Sequence, residues 1–329
     1  MIDTIRLFTR DFDISKNNRF QTQTIADYST GEIRAEKLYS NIPDGARFTI
    51  KPQGSERCLL CEASLPKLLY GTSLKELQQD DFERCLQAIR SQFAMAGVVI
   101  DRQAFESLPV SRLDYCKNIK TDHSIIDYLV LAKTCFYSGR IRTSWQAETV
   151  TFMNKSQELC MYNKVLEVKQ DSKQAAAAGV NRDSPEDVLR VECRMKAADV
   201  IQRAIKKRTF SECFDFDIAR QKLLAEFDKI STDTNRQLEL NFNNDLLRLK
   251  ELRSKKRYAS NYFMAEQGIE LFLIKYNYEW QVIKKLYLEA GFTRQNVCKI
   301  IREFKKFIAE HRTPKERNLI AEIRRKLAA

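Results

Sequence analysis

A change of character near residue 200 constrains the fold of this 329-residue chain more than any other feature of its sequence. Before that point, short β-like runs alternate with amphipathic helical patterns, whereas the remainder is almost entirely helical and more basic. Turn-forming residues are few, with nine glycines and six prolines, and their scarcity favours long helices. The sequence therefore predicts an α+β sheet domain at residues 1–200, followed by an all-α domain at residues 201–329.

The first part carries separate signals for strands and for helices. Ser73 and Glu76 have the spacing of a capping box, so a helix is predicted to begin at Ser73 and to end at Gly97. Another helix is predicted from Ile125 to Gly139, and residues 170–183 are predicted to be a loop or a short helix. The predicted strands are the N-terminal segment, 57–63, 110–119, the hairpin of 148–153 with 158–162, and 188–195.

The second part contains a pair of helical patterns with the proportions of a helix-turn-helix, at residues 279–290 and 293–308. The alternative is a helical bundle whose basic face is simply solvated, and the sequence favours neither. The other helical patterns lie at residues 199–207, 217–229, 235–252 and 259–274. The residues predicted to contact DNA from the second helix of the pair are Arg294, Gln295, Asn296, Lys299, Lys305 and Lys306.

The charge balance points to a polyanionic partner. There are 56 Lys and Arg residues against 44 Asp and Glu, a formal net charge of +12, which suits either nucleic acid or an anionic membrane surface. No apolar run approaches the roughly 20 residues that a membrane span requires. The last 39 residues hold +7 of the charge, from Arg294, Lys299, Arg302, Lys305, Lys306, Arg312, Lys315, Arg317, Arg324, Arg325 and Lys326 against four glutamates.

The cysteines and the N-terminus bear on the compartment. Nine cysteines are an odd number, and the first residues lack the apolar block of a signal peptide. This pattern predicts reduced thiols in a cytoplasm.

Three apolar, strand-like strings each include an acidic residue, namely Asp114, Glu167 and Glu192. Carboxylates are disfavoured in strands and are costly to bury without a partner. If several converge, they form an oxygen-rich pocket for a hard cation such as Mg²⁺ or Mn²⁺. The alternative is that the acids pair on a solvated sheet face with their basic neighbours Arg112, Lys164 and Arg190.

Five motifs between residues 57 and 196 agree in order and approximate spacing with one protein family. They are EASLPKLLYG at 62–71, SRLDYCKNI at 111–119, WQAETVTF at 145–152, MYNK at 161–164 and LRVECR at 189–194. Together they resemble the replication initiators of filamentous phages, the gene II/X family. More distantly, the chain is similar to the rolling-circle initiators of some small plasmids. The resemblance implies a nickase-like sheet domain in the first part of the chain.

The resemblance also assigns chemistry to particular residues. Tyr162 stands where the family has its DNA-cleaving tyrosine, and Lys164 would stabilise the phenolate or the phosphorane. With only His123 and His311 present, the chain has no histidine pair for a metal, so the resemblance implies Mg²⁺ or Mn²⁺ on carboxylates. The candidate ligands are Asp114 and Glu192 with Glu62 or Glu167, and the candidate DNA contacts in this domain are Arg112 and Arg190.

The implied function is initiation of rolling-circle DNA replication in a bacterial cytoplasm. Tyr162 would nick one strand of a double-stranded origin, form a 5′-phosphotyrosyl intermediate and later rejoin the displaced strand, with Tyr115 a candidate second nucleophile. The chain has no phosphate-binding loop of an ATPase, so a host helicase would act with the host polymerase. The alternatives are a non-catalytic, sequence-specific DNA-binding initiator or repressor, and a tyrosine transposase of a mobile element.

Overall fold

The computed structural model describes residues 1–26, 33–53, 56–101, 104–145, 148–185, 187–255, 258–276, 279–311 and 319–329. Its contacts group the chain into two compact units, which are described separately. The first comprises Met1–Ile125, Thr151–Glu226 and Ala328, and the second comprises Ile126–Val150, Phe227–Leu327 and Ala329. Because this grouping does not divide the chain at one point, the domain boundary near residue 200 stays a prediction.

The strands are concentrated before residue 196, as the sequence predicted. They are β1 (Ile2–Thr9), β2 (Asp13–Ile14), β3 (Gln21–Ala26), β4 (Ile33–Asn41), β5 (Arg47–Gln53), β6 (Glu56–Ser64), β7 (Val98–Val99), β8 (Val110–Lys120), β9 (Ile141–Trp145), β10 (Thr149–Met153), β11 (Gln157–Asn163) and β12 (Val188–Met195).

The helices follow a complementary distribution, and nearly everything described after residue 196 is helical. They are α1 (Leu65–Tyr70), α2 (Phe82–Ala96), α3 (Ile125–Ala132), α4 (Lys164–Lys169), α5 (Ser172–Ala178), α6 (Ala198–Ile205), α7 (Phe210–Cys213), α8 (Phe216–Lys255), α9 (Ala259–Gln267), α10 (Ile269–Lys275), α11 (Trp280–Glu289), α12 (Arg294–His311) and α13 (Leu319–Ala328). The predicted fold class, an α+β sheet part followed by a helical part, is confirmed. Within the described residues, no helix is both long and apolar enough to span a bilayer.

A large antiparallel sheet runs through the first unit in the order β3-β4-β5-β6-β1-β8-β12-β11-β10. Its centre is formed by β1, β8 and β12, which come from distant parts of the chain. In the register, Arg6 of β1 lies opposite Arg112 of β8, and Asp114 of β8 lies opposite Arg194 of β12. The sheet therefore places segments about 80 residues apart side by side.

The two faces of the central strands differ because side chains alternate along a strand. On β8, Leu113, Tyr115 and Ile119 point to an apolar core, and Leu189 and Val191 of β12 do the same. The intervening residues carry the charged and polar groups of the opposite face. They are Arg112, Asp114 and Asn118 of β8 and Arg190, Glu192 and Arg194 of β12.

The helix predicted to start at Ser73 is wrong in its start, since α2 begins at Phe82. The side chains that would have formed the capping box bond elsewhere. Ser73 Oγ donates to Oε1 of Gln174 at 2.9 Å, and the Glu76 carboxylate accepts from the backbone N–H of Asn118. Ser73 and Glu76 therefore bond residues distant in sequence and do not cap a helix. The predicted end of the helix at Gly97 is confirmed.

The strand expected to continue through Glu167 is also wrong, because α4 begins at Lys164. Asn163 caps this helix by accepting from the backbone N–H of Leu166 at 3.0 Å, which turns the chain out of the sheet. In the second part, one helix, α8, replaces the two predicted at 217–229 and 235–252. Strands β3 to β5 had no prediction, and α5 is the short helix predicted as one alternative for 170–183.

The second unit has a hydrophobic core of its own, built from helices α8 to α12. Phe263, Phe272 and Tyr287 are fully buried in it, and Phe272 contacts Tyr276 with a ring separation of 4.9 Å. Helix α12 contributes Val297, with Ile301 and Phe304 one and two turns further on. This spacing fixes which side of α12 remains exposed.

We predict that Gly97→Ala lowers the free energy of unfolding by about 2–4 kcal/mol. Gly97 has φ +76°, and an added Cβ would lie 2.7 Å from both the Cα of Asn18 and the Oγ of Ser15. Gly179 is the matched control, because its φ is +65° but an added Cβ meets no described atom within 4 Å. Gly179→Ala should therefore cost only the conformational strain, about 1–2 kcal/mol. Urea unfolding of both variants measures the difference, and equal losses would contradict the close packing at Gly97.

Candidate active site

The polar face of the central strands brings three chemically distinctive side chains together. Asp114 lies on β8, Glu192 on β12 and Tyr162 on β11. The pairing of β11 with β12 sets Tyr162 opposite Arg190 and Cys160 opposite Glu192. The hydroxyl of Tyr162 donates to Oε2 of Glu192 at 2.8 Å. A phenol and a carboxylate are thus in direct contact at the middle of the sheet.

Tyr162 lies in a low-dielectric environment. Burial, and after it the negative charge of Glu192, raises the pKa of Tyr162 well above its usual range, against the opposing effect of Arg190. The hydroxyl therefore stays protonated unless a group takes its proton as it reacts. Glu192 is an acceptor at hydrogen-bond distance, and Lys164 Nζ lies 5.7 Å from the centre of the Tyr162 ring.

Glu192 is held in place by an arginine. Its Oε1 accepts from Nε of Arg194 at 2.8 Å, while Oε2 faces Tyr162. Arg194 also donates through Nη1 to Glu158 at 3.3 Å, and the Lys196 ammonium pairs with the same glutamate. Glu192 is 2% exposed, so its two oxygens meet protein groups and not bulk water. The orientation of the carboxylate toward Tyr162 is consequently fixed.

Asp114 is the second buried carboxylate of the site, 1% exposed. Arg112 binds it through Nη2 at 2.8 Å and through Nε at 3.2 Å to each oxygen. Burial, and next the charge of Glu192, raises the pKa of Asp114 to about 7 even though Arg112 lowers it. The two carboxylates therefore repel each other, and a cation near them would relieve that repulsion.

The other two predicted metal ligands do not join this pair. Glu62, on β6, accepts from Nε of Arg6 at 2.7 Å and from Nη1 of Arg112 at 3.3 Å. Glu167 lies on α4 and forms an ion pair with Lys164. Over the described part of the chain, no cluster of three or more His, Cys, Asp or Glu side chains is arranged to hold a metal ion.

Asp114 and Glu192 nevertheless match the way Mg²⁺ is commonly bound. That cation often uses one or two carboxylates and completes its shell with water and substrate phosphates. The donor chemistry therefore fits a divalent cation on these two residues. Part of the alternative interpretation also holds, since Asp114 pairs with Arg112 and Glu167 pairs with Lys164. Glu192 pairs with Arg194 and not with Arg190, and Asp114 is buried instead of lying on a solvated face.

Arg190 needs a correction as a predicted DNA contact. Its side chain is fully buried, and its three guanidinium nitrogens all donate within the protein. They bond Oδ1 of Asn118 at 2.9 Å, Oδ2 of Asp3 at 2.9 Å and the backbone oxygen of Ser73 at 2.8 Å. A guanidinium with all its groups engaged inside the protein does not reach a nucleic acid.

Tyr115 is not brought to the site either. It lies on the apolar face of β8, opposite to that of Asp114, and its hydroxyl donates to the backbone oxygen of Cys213 at 3.0 Å. The side chain is fully buried, and burial raises its pKa far above the usual range. Tyr115 directly follows Asp114 in β8, and consecutive side chains of a strand point to opposite faces of the sheet.

Several residues of the site were missed by sequence reasoning. Arg194 holds Glu192 in place and is itself paired with Glu158, and Asp3 balances the charge of Arg190. The period-two alternation of Arg190, Glu192 and Arg194 along β12 was the available signal, because it puts three charged residues on one face. No sequence pattern around Asp3 indicated its role, since that role depends on Arg190, which lies 187 residues away in the chain.

Helix α12 of the second unit exposes a basic side. Val297, Ile301 and Phe304 are buried, whereas the polar residues between them are exposed. Lys305 Nζ lies 5.4 Å from the centre of the Trp280 ring. Residues 312–318, which include three of the basic residues predicted to be near DNA, lie outside the described residues. The predicted DNA contacts that are exposed on α12 are Arg294, Gln295, Asn296, Lys299, Lys305 and Lys306.

Comparisons with known proteins bear on what this site does. A family model described as the N-terminal part of a phage replication-associated protein, the gene II product, matches residues 35–267. Among solved structures, the chain is similar to a rolling-circle replication initiator protein from Geobacillus stearothermophilus, with 9% sequence identity and a TM-score of 0.34. That similarity covers 70% of this chain and 84% of the other. No curated protein sequence matches the chain.

We predict that Arg190→Met lowers the free energy of unfolding by about 3–5 kcal/mol, because the Asp3 carboxylate loses its buried cationic partner. Arg203→Met is the control, since Arg203 and Asp199 form an exposed ion pair whose loss should cost under about 1 kcal/mol. Chemical denaturation followed by circular dichroism measures both. A loss at Arg190 no larger than that at Arg203 would show that the buried network is not needed for stability.

Proposed function

The chain belongs to the gene II family of phage replication-associated proteins, which are rolling-circle replication initiators, and we propose that Tyr162 is the residue with which it nicks its origin. The observation that carries this proposal is the 2.8 Å hydrogen bond from the Tyr162 hydroxyl to Glu192. It joins a nucleophile to a proton acceptor on a sheet face that also carries arginines able to meet a phosphate.

The reaction is a transesterification in which bonds and protons balance. The hydroxyl oxygen of Tyr162 attacks the scissile phosphorus, and its proton passes to Oε2 of Glu192. The bond from phosphorus to the 3′ oxygen breaks, that oxygen takes a proton from water, and the 5′ phosphate remains esterified to Tyr162. The 3′-OH is then free to prime a polymerase. The reverse attack, by a 3′-OH on the phosphotyrosine, closes a displaced strand.

The neighbouring cations have separate tasks in this step. Arg194 orients Glu192, so that Oε2 faces the phenol while Oε1 stays occupied. Arg112 is about a quarter exposed, which lets its guanidinium meet a phosphate oxygen at the sheet surface. Lys164 is buried, and its positive charge near the Tyr162 ring would stabilise the developing phenolate.

Asp114 and Glu192 are the residues that would hold Mg²⁺ or Mn²⁺. When bound, such a cation supplies Lewis-acid polarisation of the scissile phosphate. Both carboxylates make hydrogen bonds to arginine, so binding would require Arg112 or Arg194 to shift part of its contact toward the incoming phosphate. The two carboxylates and the phosphate would then share the metal ion and the arginine side chains.

The exposed basic side of α12 would bind duplex DNA at the origin. We also propose the displaced single strand as a partner, together with a host helicase and a host polymerase in a bacterial cytoplasm. The family assignment supports origin DNA most directly, because initiation of replication requires contact with it.

We expect Tyr162→Phe to abolish nicking of supercoiled DNA that carries the element's own intergenic region. The phenylalanine retains the ring but lacks the oxygen that forms the ester. Wild type should nick with Mg²⁺ or Mn²⁺ and stop with chelator, and digestion of its products should show protein on a 5′ end. Tyr39→Phe, which removes an exposed hydroxyl on β4, is the control and should nick normally.

The outcomes separate the rival functions. Nicking by Tyr162→Phe would move the nucleophile to another residue. Tight origin binding without a nick under any metal would favour the non-catalytic initiator or repressor. Products that join both ends of the element to new DNA would instead identify a transposase.

We predict that Arg294→Ala with Lys299→Ala weakens binding to origin duplex and lowers the slope of log affinity against log salt by about 1.8, roughly 0.9 for each phosphate contact. Both residues are exposed on α12. Lys229→Ala with Lys250→Ala, which removes two exposed charges from α8, is the control. Equal losses in the two pairs would mean that net charge, and not α12, governs binding.

A further inference from the structure

A polar cleft of about 550 Å³ lies in the first unit, apart from the residues assigned to catalysis. It is bounded by the turn before β5, the end of β6, helix α1 and helix α5. Its size falls within the range of small-ligand sites in proteins. Two of its basic residues, Arg47 and Lys67, come from different elements and line the same opening.

These two cations are available to a ligand. Among the described residues, neither the Arg47 guanidinium nor the Lys67 ammonium forms an ion pair or a side-chain hydrogen bond. Arg47 is exposed and Lys67 is half-buried. Cations that line one cleft and outnumber its carboxylates attract an anion of matching size.

The acidic groups of the cleft already have partners. Asp44 accepts from Nζ of Lys173 at 2.6 Å. Asp171 caps α5 by accepting from the backbone N–H groups of Lys173 and Gln174 at 3.2 Å, and it accepts from the Gln174 amide at 2.6 Å. Their negative charge is therefore partly neutralised within the protein. Hydrogen bonds to Gln174 and, to a smaller extent, the charge of Lys67 lower the pKa of Asp171. The three cations Arg47, Lys67 and Lys173 still outnumber the two carboxylates of the cleft.

The cleft is connected to the environment of Tyr162 by a short chain of contacts. Ser64, which lines the cleft, donates to Oδ1 of Asp3 at 2.6 Å, and Oδ2 of Asp3 accepts from Arg190. Arg190 lies opposite Tyr162 in the strand register. In a second register pair, Arg47 lies opposite Glu62, whose own neighbour across the sheet is Arg6. The opening thus adjoins the sheet face on which Tyr162 lies.

We propose that this cleft binds the single DNA strand beside the scissile phosphate, with Arg47 and Lys67 contacting its backbone phosphates. This inference rests on the proposed nicking function. No aromatic side chain lines the cleft among the residues that the structure describes, so the bases have no stacking partner there and the proposed contacts are to phosphate. The cleft would hold the strand in register with Tyr162 while the covalent intermediate exists.

The test uses the full chain and a fluorescein-labelled (dT)20 oligonucleotide, with affinity measured by anisotropy across a salt series. Arg47→Ala with Lys67→Ala should bind about tenfold more weakly at low salt, and the salt slope should fall by about 1.4, roughly 0.7 for each phosphate contact. Lys16→Ala with Arg19→Ala removes the same two charge types from exposed positions outside the cleft and should change affinity by less than about twofold. Arg47→Glu alone, at an exposed position, is the second variant if the double variant folds poorly.

An unchanged affinity and slope in the cleft variants, or a loss equal to that of the control pair, would overturn the proposal. Tyr162→Phe is measured in the same assay and should bind (dT)20 as wild type does. If that variant still nicks origin DNA while the cleft variants lose affinity, the proposed function fails and the cleft stands. If Tyr162→Phe loses nicking and the cleft variants bind normally, the function stands and the cleft assignment fails.

Discussion

The pairing of each buried carboxylate with an arginine two residues away on the same central strand is the interaction on which the rest of this structure depends. Asp114 with Arg112, and Glu192 with Arg194, satisfy charges that would otherwise be too costly to place within a sheet. The polar face that these pairs form also constrains the register, because a slip of one residue would turn the charged groups into the apolar core formed by the alternate residues. A polar face and an apolar core are thus specified together by one alignment of strands.

This alignment also produces the chemistry. Burial keeps Tyr162 protonated, and the strand pairing places Glu192 where it accepts a hydrogen bond from the phenol. Arg112 and Arg194 already form ion pairs with carboxylates, so a phosphate that binds there must compete with those carboxylates for the two arginines. A site of this kind suits a reversible transfer between two phosphate esters, since nothing in it has to be consumed. In our proposals, the exposed side of α12 and the cleft at Arg47 would add contacts to phosphate that are separate from Tyr162 and Glu192.

Part of the site was predictable from the sequence and part was not. Tyr162 and Lys164 were suggested by a resemblance, and Asp114 and Glu192 by acids that interrupt apolar strands. Arg190 was wrong as a DNA contact, because neighbours along a strand gave no indication that Asp3 and Ser73 would enclose it. Lys164 and Glu167 were expected in a strand, and the cap at Asn163 placed them on a helix instead.

The sequence by itself determined the α+β and all-α division, the main strands of the first part and the presence of charged residues on one face of them. These features depend on local periodicity and on composition, and both can be read from the amino-acid sequence. The tertiary structure decided which charges meet and which side chains enclose them. Those outcomes depend on strand pairing between segments far apart in the chain, and such pairing leaves no periodic signal at either segment.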